Sequence, residues 1–199
     1  MPQPHTDGDL LSQLHFVPGL REILLIRQVH ALEHATVWVL AELERSPQLA
    51  RRRSAAPNAA RADHGYGGLS TATGFYLYGE VSTHTLQRAV RIALHRLVEG
   101  DWNLAIHPRC GTNLSVGMTL TAGLAFGLHL LLPKGPIEQL VGFGVATAAA
   151  AQLAPELGAV VQRHVTTAIP FNLGIDEIVP LPDPSGQPTH FVRIHWQPI

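Results

Sequence analysis

Between Asn113 and Pro133 the chain reads NLSVGMTLTAGLAFGLHLLLP, 21 residues without a charge, and between Gln139 and Pro155 it reads QLVGFGVATAAAAQLAP, 17 more. A bilayer core takes about 20 mostly apolar residues per helix. The first segment is long enough to span, and the second becomes so when extended past Glu156 to Val161. Lys134-Gly-Pro between them makes a tight turn, so residues 113–161 are expected to form a helical hairpin. Gly123 and Gly127 make a GxxxG in the first helix, and Gly144, Ala148 and Ala149 give the second a small face. This is the pattern by which helices, including those of a second copy in a homo-oligomer, approach closely in lipid. The alternative is a buried helix pair in a soluble core.

Composition supports the membrane reading. Of 199 residues 46% are hydrophobic and only 15% charged, against roughly 25% charged in an average soluble domain. Lys+Arg number 14 and Asp+Glu 15, for a net charge of -1, so no basic excess exists to bind a phosphate backbone and nucleic acid is not an expected partner. The start carries acidic residues where a secretory signal would carry positive charge, so no signal peptide is expected. Eleven Arg precede the hairpin, two follow it and only Lys134 lies in its turn. Because Arg and Lys are retained on the cytoplasmic side, the expected location is the cytoplasmic membrane, in contact with lipid and with both termini inside. The single cysteine fits a reducing compartment.

Outward from the hairpin, residues from about Leu20 to Leu43 lack Pro and Gly, and Ile23, Arg27, His30, His34, Trp38 and Ala41 fall on one helical stripe. The run Arg51 to Arg61 reads as a polar linker or a membrane-surface patch. Gly65-Tyr-Gly-Gly-Leu-Ser-Thr is a turn-rich approach to a strand over Gly74 to Val81. Ser82 or Thr83 can cap a helix from about His84 to Val98, with Gly100 as its stop. Asn103 to Ile106 is expected as a short strand, as are Asp176 to Leu181 and His190 to Trp196. In the last of these, Val192, Ile194 and Trp196 share one face. The fold class expected is α+β, mostly helical, with a transmembrane hairpin in the C-terminal half and a few short strands. The segments are 1–19, an α+β region 20–112, the hairpin 113–161 and a strand-rich tail 162–199.

The first helix carries His30-Ala-Leu-Glu33-His34, an H-x-x-E-H, the inverted zincin motif. From 12 His and 9 Glu, composition predicts roughly 0.03 such matches in a chain this long. Positions i and i+4 set both imidazoles on one face, about 6 Å apart at the backbone, close enough to share one Zn²⁺. Glu33 beside them could take a proton from a water molecule. The bland reading is a hydrogen-bonded histidine pair in a core, with Glu33 in an ion pair. A catalytic zinc takes three protein ligands, and the source of the third is the loop His107-Pro-Arg-Cys110, from either His107 or Cys110. Cys110 could instead be a nucleophile with a histidine partner, or a small buried residue. His64, His84 and His164 are spare candidates, and His95 is expected to be solvated. His129, inside the charge-free run, must face protein or a watery cavity.

His30-Ala-Leu-Glu-His-Ala-Thr36, then His107-Pro-Arg-Cys-Gly-Thr-Asn113, an apolar hairpin, and Leu157-Gly-Ala-Val-Val-Gln-Arg-His-Val-Thr-Thr167 follow one another in order. This arrangement resembles the uncharacterised bacterial membrane proteins of the YqhQ-like kind and a related cyanobacterial family of unknown function. The resemblance covers roughly residues 28–180, and H-P-R-C-G-T is its most specific string. It implies an integral membrane protein with a metal site made from His30, Glu33, His34, His107 and Cys110, and carries no activity over. Two departures are Ala35, where the YqhQ-like proteins tend to have Lys, and a longer separation between the two motifs, which puts a shared reaction in doubt.

Two functions are expected from these residues. One is a membrane-embedded zinc hydrolase of peptidase or amidase type, with His30, His34 and one of His107 or Cys110 on the metal and Glu33 as general base, acting on a substrate the sequence does not name. The other is a non-catalytic membrane protein whose metal site is structural, serving as a scaffold or an interaction module for a protein partner. An open coordination position beside Glu33 favours the first; four protein ligands favour the second.

Overall fold

The computed structural model of the chain describes residues 16–45, 65–182 and 186–197, together with residue 13. The Arg51 to Arg61 run and His64 lie outside the described residues. The fold is α+β, and the described residues form four α-helices and a four-stranded antiparallel sheet. Two compact units are present, one made of residues 1–106 and 167–199 and the other of residues 107–166.

The first unit is built around helix α1, Leu20–Arg45. Most residues from Leu24 to Leu40 are buried, so burial does not follow the one stripe expected: Ile23, placed on that stripe, is 59% exposed. A helix covered on all sides has no reason to alternate polar and apolar faces. Strands β1 (Gly67–Thr71) and β2 (Gly74–Tyr78) form a hairpin, and β3 (Leu173–Leu181) and β4 (Thr189–Trp196) complete a sheet of order β1-β2-β4-β3. The strands after the second unit therefore pair with those before it: Leu77 of β2 faces His190 of β4. Val192 and Ile194 are buried while Arg193 and His195 point outward, the expected alternation.

Helix α2, Thr83–Val98, begins where Ser82 accepts a hydrogen bond from the Thr85 N–H at 3.1 Å. It ends at Gly100, whose φ of 106° lets the Asp101 N–H return to the Arg96 carbonyl at 2.9 Å, a closure that favours glycine. Leu86, Val90 and Leu97 of α2 meet Val29, Leu32 and Leu40 of α1 and Phe75 and Leu77 of β2 in one core.

Two short elements differ from expectation. Residues Trp102–Ala105 form a 3-10 turn rather than a strand, because the carbonyls of Ala105 and Ile106 are taken by side chains of α1 instead of a neighbouring strand. The glycine-rich approach at 67–71 is itself a strand, β1, at the sheet edge, where its low strand propensity is offset by pairing with β2 along its whole length.

The second unit holds α3, Gly111–Leu131, and α4, Pro136–Val161, followed by a π turn over Gln162–Thr166. Both helices are long and apolar enough to cross a membrane. They run antiparallel: a methyl added at Gly117 would touch Ala154, one at Gly142 would strike Leu132, and one at Gly158 would collide with Asn113. Gly142, Ala146, Ala150 and Gly158 of α4 are buried, and with Ala154 they make a stripe of small residues at every fourth position. Within the hairpin the close approach does not use the GxxxG, since Gly123, Gly127 and Gly144 meet nothing within 4 Å. Those glycines face outward; the close approach uses the 142–158 stripe. His129 lies two residues from the end of α3, where its Nδ1 meets Gln139 Oε1 at 2.7 Å and the Gln139 amide donates to the Pro133 carbonyl.

His190 of β4 is 6% exposed, its Nε2 meets Thr83 Oγ1 at 3.2 Å, and its Nδ1 is buried without a hydrogen-bond partner among the described residues. Burial pushes its pKa below the ordinary 6.5. The folded state then holds this imidazole neutral while the unfolded chain protonates it, so its stabilising effect is present above pH 6.5 and declines as pH falls below it. Replacement His190→Gln should flatten the fall in stability between pH 6.5 and 5.5 by up to about 1 kcal/mol, measured as the wild-type minus variant difference in chemical denaturation at the two pH values.

Candidate metal centre

On α1, the rings of His30 and His34 lie with centroids 4.3 Å apart, tilted by 60°, the consequence of their i, i+4 spacing. The 3-10 turn fixes one of them. His34 Nδ1 is 2.7 Å from the Ala105 carbonyl, which can only accept, so Nδ1 carries the proton and Nε2 carries the lone pair. One turn on, the Trp38 indole donates to the Ile106 carbonyl at 2.9 Å. An imidazole whose far nitrogen donates to a backbone carbonyl is the arrangement that orients metal-ligating histidines.

Glu33 is 6% exposed and lies under β1. Ser70 Oγ donates to Glu33 Oε2 at 2.5 Å, and Gly68 sits so close that a Cβ there would fall 2.2 Å from Oε1. Burial holds the Glu33 pKa above the ordinary 4.5, opposed by the Ser70 hydrogen bond and by the charge of His30. The carboxyl is therefore a better proton acceptor than an exposed glutamate would be.

The His107–Cys110 loop is organised by its own unit. The Cys110 N–H donates to the His107 carbonyl at 3.2 Å and closes the turn. Cys110 caps α3, its sulfur accepting from the Thr112 N–H at 3.4 Å. Gln162, fully buried, accepts from the His107 N–H at 2.8 Å and donates to Asn113 Oδ1 at 2.7 Å, while Asn113 Nδ2 donates to the Pro108 carbonyl at 2.8 Å. The hydroxyls of Thr112 and Thr166 are 3.3 Å apart. The Gln and Thr that follow the hairpin in the sequence motif thus hold the loop that precedes it.

In the first unit, the ligand nitrogens of His30 and His34 lie within 4.8 Å of each other, so that the pair could hold a metal ion. Ligands on a tetrahedral zinc are separated by about 3.3 to 3.8 Å, so a small side-chain movement would bring the two imidazoles to that spacing. His107 and Cys110 belong to the second unit, where the His107 Nδ1 accepts from the Arg109 N–H at 3.2 Å. His84 and His164 are exposed, and His95 is exposed and paired with Glu99 at 3.0 Å.

Residues 25–178 match the family described as "Domain of unknown function (DUF6391)". The chain belongs to this family. An uncharacterized protein of the cyanobacterium Picosynechococcus sp. strain PCC 7002 is 55% identical over 197 residues, covering 98% of this chain and 92% of that protein. No solved structure matches. Of the two resemblances drawn from the motifs, these matches support the cyanobacterial one.

Sequence reasoning passed over Ser70, Gly68 and the Ala105 carbonyl. The Gly67-Gly68 pair was a signal of close backbone approach, but a backbone carbonyl leaves no trace in residue identity. Gly68→Val should push β1 away from Glu33 and lower stability by about 1 to 3 kcal/mol, as overpacking does, whereas Gly67→Ala, where an added Cβ meets only Tyr78 at 3.9 Å, should cost less; thermal unfolding of the two variants checks this.

Proposed function

We propose that this DUF6391 protein is an integral membrane metalloprotein in which His30, His34 and one of His107 or Cys110 hold a zinc ion and Glu33 serves as general base in hydrolysis of an amide or related carbonyl compound. The observation that carries the reading is the hydrogen bond from His34 Nδ1 to the Ala105 carbonyl, which leaves Nε2 as the ligand nitrogen of a ring set 4.3 Å from that of His30. Two imidazoles with a third from His107 or a thiolate from Cys110 make a donor set suited to zinc, and three ligands leave a fourth position open. Zinc bound there would acidify water and polarise a carbonyl. Glu33, its basicity raised by burial, would receive the proton, and Ser70 would hold its carboxylate in place. One observation favours the structural alternative, since Glu33 is covered by Gly68 and engaged by Ser70 and so is partly turned to the strand.

Elemental analysis of the purified protein tests the metal. About one zinc per chain is expected, lost in His34→Ala and retained in Glu33→Gln, because the amide replaces a base and not a ligand. Zinc lost in Glu33→Gln as well would favour a closed structural site, since metal binding and folding are linked. Wild-type protein without metal would overturn the reading.

We place the α3–α4 hairpin in the cytoplasmic membrane with both termini inside, supported by two helices of spanning length and by the excess of Arg outside the hairpin turn. The untagged protein should remain in the membrane pellet after alkaline carbonate washing and be released by detergent. Recovery in the carbonate supernatant would contradict this.

A further inference from the structure

Around α1 the neighbouring elements of the first unit follow one another in a fixed sense. With the direction of Glu33 taken as zero, Val29 and Leu40 point to about −40° and −20°, and His30 and His34 to about +60° and +100°. Val29 and Leu40 join Phe75 and Leu77 of β2 in the core, and Glu33 lies against Gly68 and Ser70 of β1. One strand further in the same sense, about 4.8 Å beyond β1, a chain would lie over the side of α1 that carries the two histidines. That position is the outer edge of the sheet, since β1 pairs with β2 alone among the described residues.

The direction of the edge groups follows from the far side of β2. The Gly79 N–H donates to the Pro188 carbonyl at 3.0 Å and the Ile194 N–H to the Thr73 carbonyl at 3.1 Å, so residues 73, 75, 77 and 79 turn their backbone groups toward β4. Residues 74, 76 and 78 turn theirs to Thr71, Leu69 and Gly67. The N–H and C=O groups of Gly68 and Ser70 therefore point away from β2, out of the sheet. Gly68 is exposed, and its lack of a side chain is what lets this edge lie against the Glu33 carboxyl.

We infer that β1 takes up an extended polypeptide as an added strand, so that the substrate of the proposed site is a peptide segment in β conformation and not a small compact amide. The inference rests on the metal reading given above. The two residues that touch Glu33 offer two donors and two acceptors along the edge, repeating at about 6.8 Å. A polypeptide strand repeats its own groups at the same interval and pairs with such an edge, whereas a lipid or a sugar has no matching ladder. Hydrolysis there adds water across one peptide C–N bond: the hydroxyl goes to the carbonyl carbon, and the proton passes by way of Glu33 to the leaving amine.

Hydroxamates bind zinc through their head group, so acetohydroxamate and acetyl-pentaalanine hydroxamate are the probes, titrated calorimetrically into zinc-loaded full-length protein in detergent. The peptide probe is expected to bind more tightly than acetohydroxamate by about tenfold or more. N-methylation of its residues one at a time should weaken binding about fivefold or more at alternate residues and less than about twofold at those between, because an added strand uses every second N–H. Ser70→Pro removes one outward N–H at an edge position where proline is tolerated, and it should bring the ratio of the two probes close to one. A ratio near one in the wild type, with acetohydroxamate still bound, would overturn the strand inference and leave the metal reading standing. Losses that do not alternate, or an unchanged ratio in folded Ser70→Pro, would also overturn it. If that variant fails to fold, the N-methyl series decides alone. A wild-type ratio near one together with a dimer in sedimentation would give the edge to a second copy and overturn the inference as well. Protein that holds no zinc and binds neither probe would overturn both readings.

Discussion

The hydrogen bond from His34 to the Ala105 carbonyl is the constraint around which the first unit is arranged. α1 is buried on nearly all sides, and a buried imidazole must find partners for its nitrogens or lose free energy of the order of 1 to 3 kcal/mol. Ala105 and Ile106 supply two such partners, to His34 and Trp38, because the chain after α2 tightens into a 3-10 turn and does not extend. That turn exposes carbonyls sideways, which a strand in a sheet would have spent on a neighbour. The chemistry of the site thus depends on a segment with no ionisable side chain of its own apart from the preceding Asp101, which binds Arg96.

Where local pattern and tertiary environment agree, the elements were legible from residues alone. α2 has a cap, an apolar face and a glycine stop, and it occupies Thr83–Val98. The last strand, β4, shows alternation, and both C-terminal strands appear within a few residues of their expected ends. Where environment overrides pattern, reading failed for identifiable reasons. The 3-10 turn at 102–105 contains Trp, Leu and Ala and reads as extended until the donors of α1 are known. β1 is poor in strand formers, and its glycine serves the approach to Glu33 rather than the strand. In the site, His30, Glu33 and His34 announce themselves by spacing on a helix, and Cys110 by being the only cysteine. Ser70 could not be found, since its role follows from the pairing of β1 with β2 and from nothing within β1.

The hairpin shows how a correct principle can select the wrong residues. Small residues do allow close approach, but the Gly123 and Gly127 pair satisfies the motif on the face turned outward. Interface residues on α4 recur at every fourth position from Gly142 to Gly158, a drift of about 40° per step relative to an ideal straight helix, which a crossing of two helices accommodates. A single pair of glycines says little about which face is used. Five small residues in one register, ending at Gly158 against Asn113, also set the height of Gln162, because the side chain that holds His107 and Asn113 is one turn beyond the last of them. Packing of the helices and order in the loop are therefore one requirement.

Glu33 joins the two questions the site raises, what it holds and what it does. Removing the carboxylate from water raises its affinity for a proton, and Ser70 and His30 recover only part of the lost solvation. A cation held by His30 and His34 would add a further stabilising charge next to the ionised form. Proton on Glu33 and metal on the histidines then disfavour each other, whether or not Glu33 touches the ion. A carboxylate left so under-solvated is poorly suited to a purely structural role, because a glutamine in the same place would keep an acceptor for Ser70 without burying a charge. Its place beside two imidazoles is best understood if the negative charge itself is used, either to balance the ion or to take a proton from the molecule that approaches it.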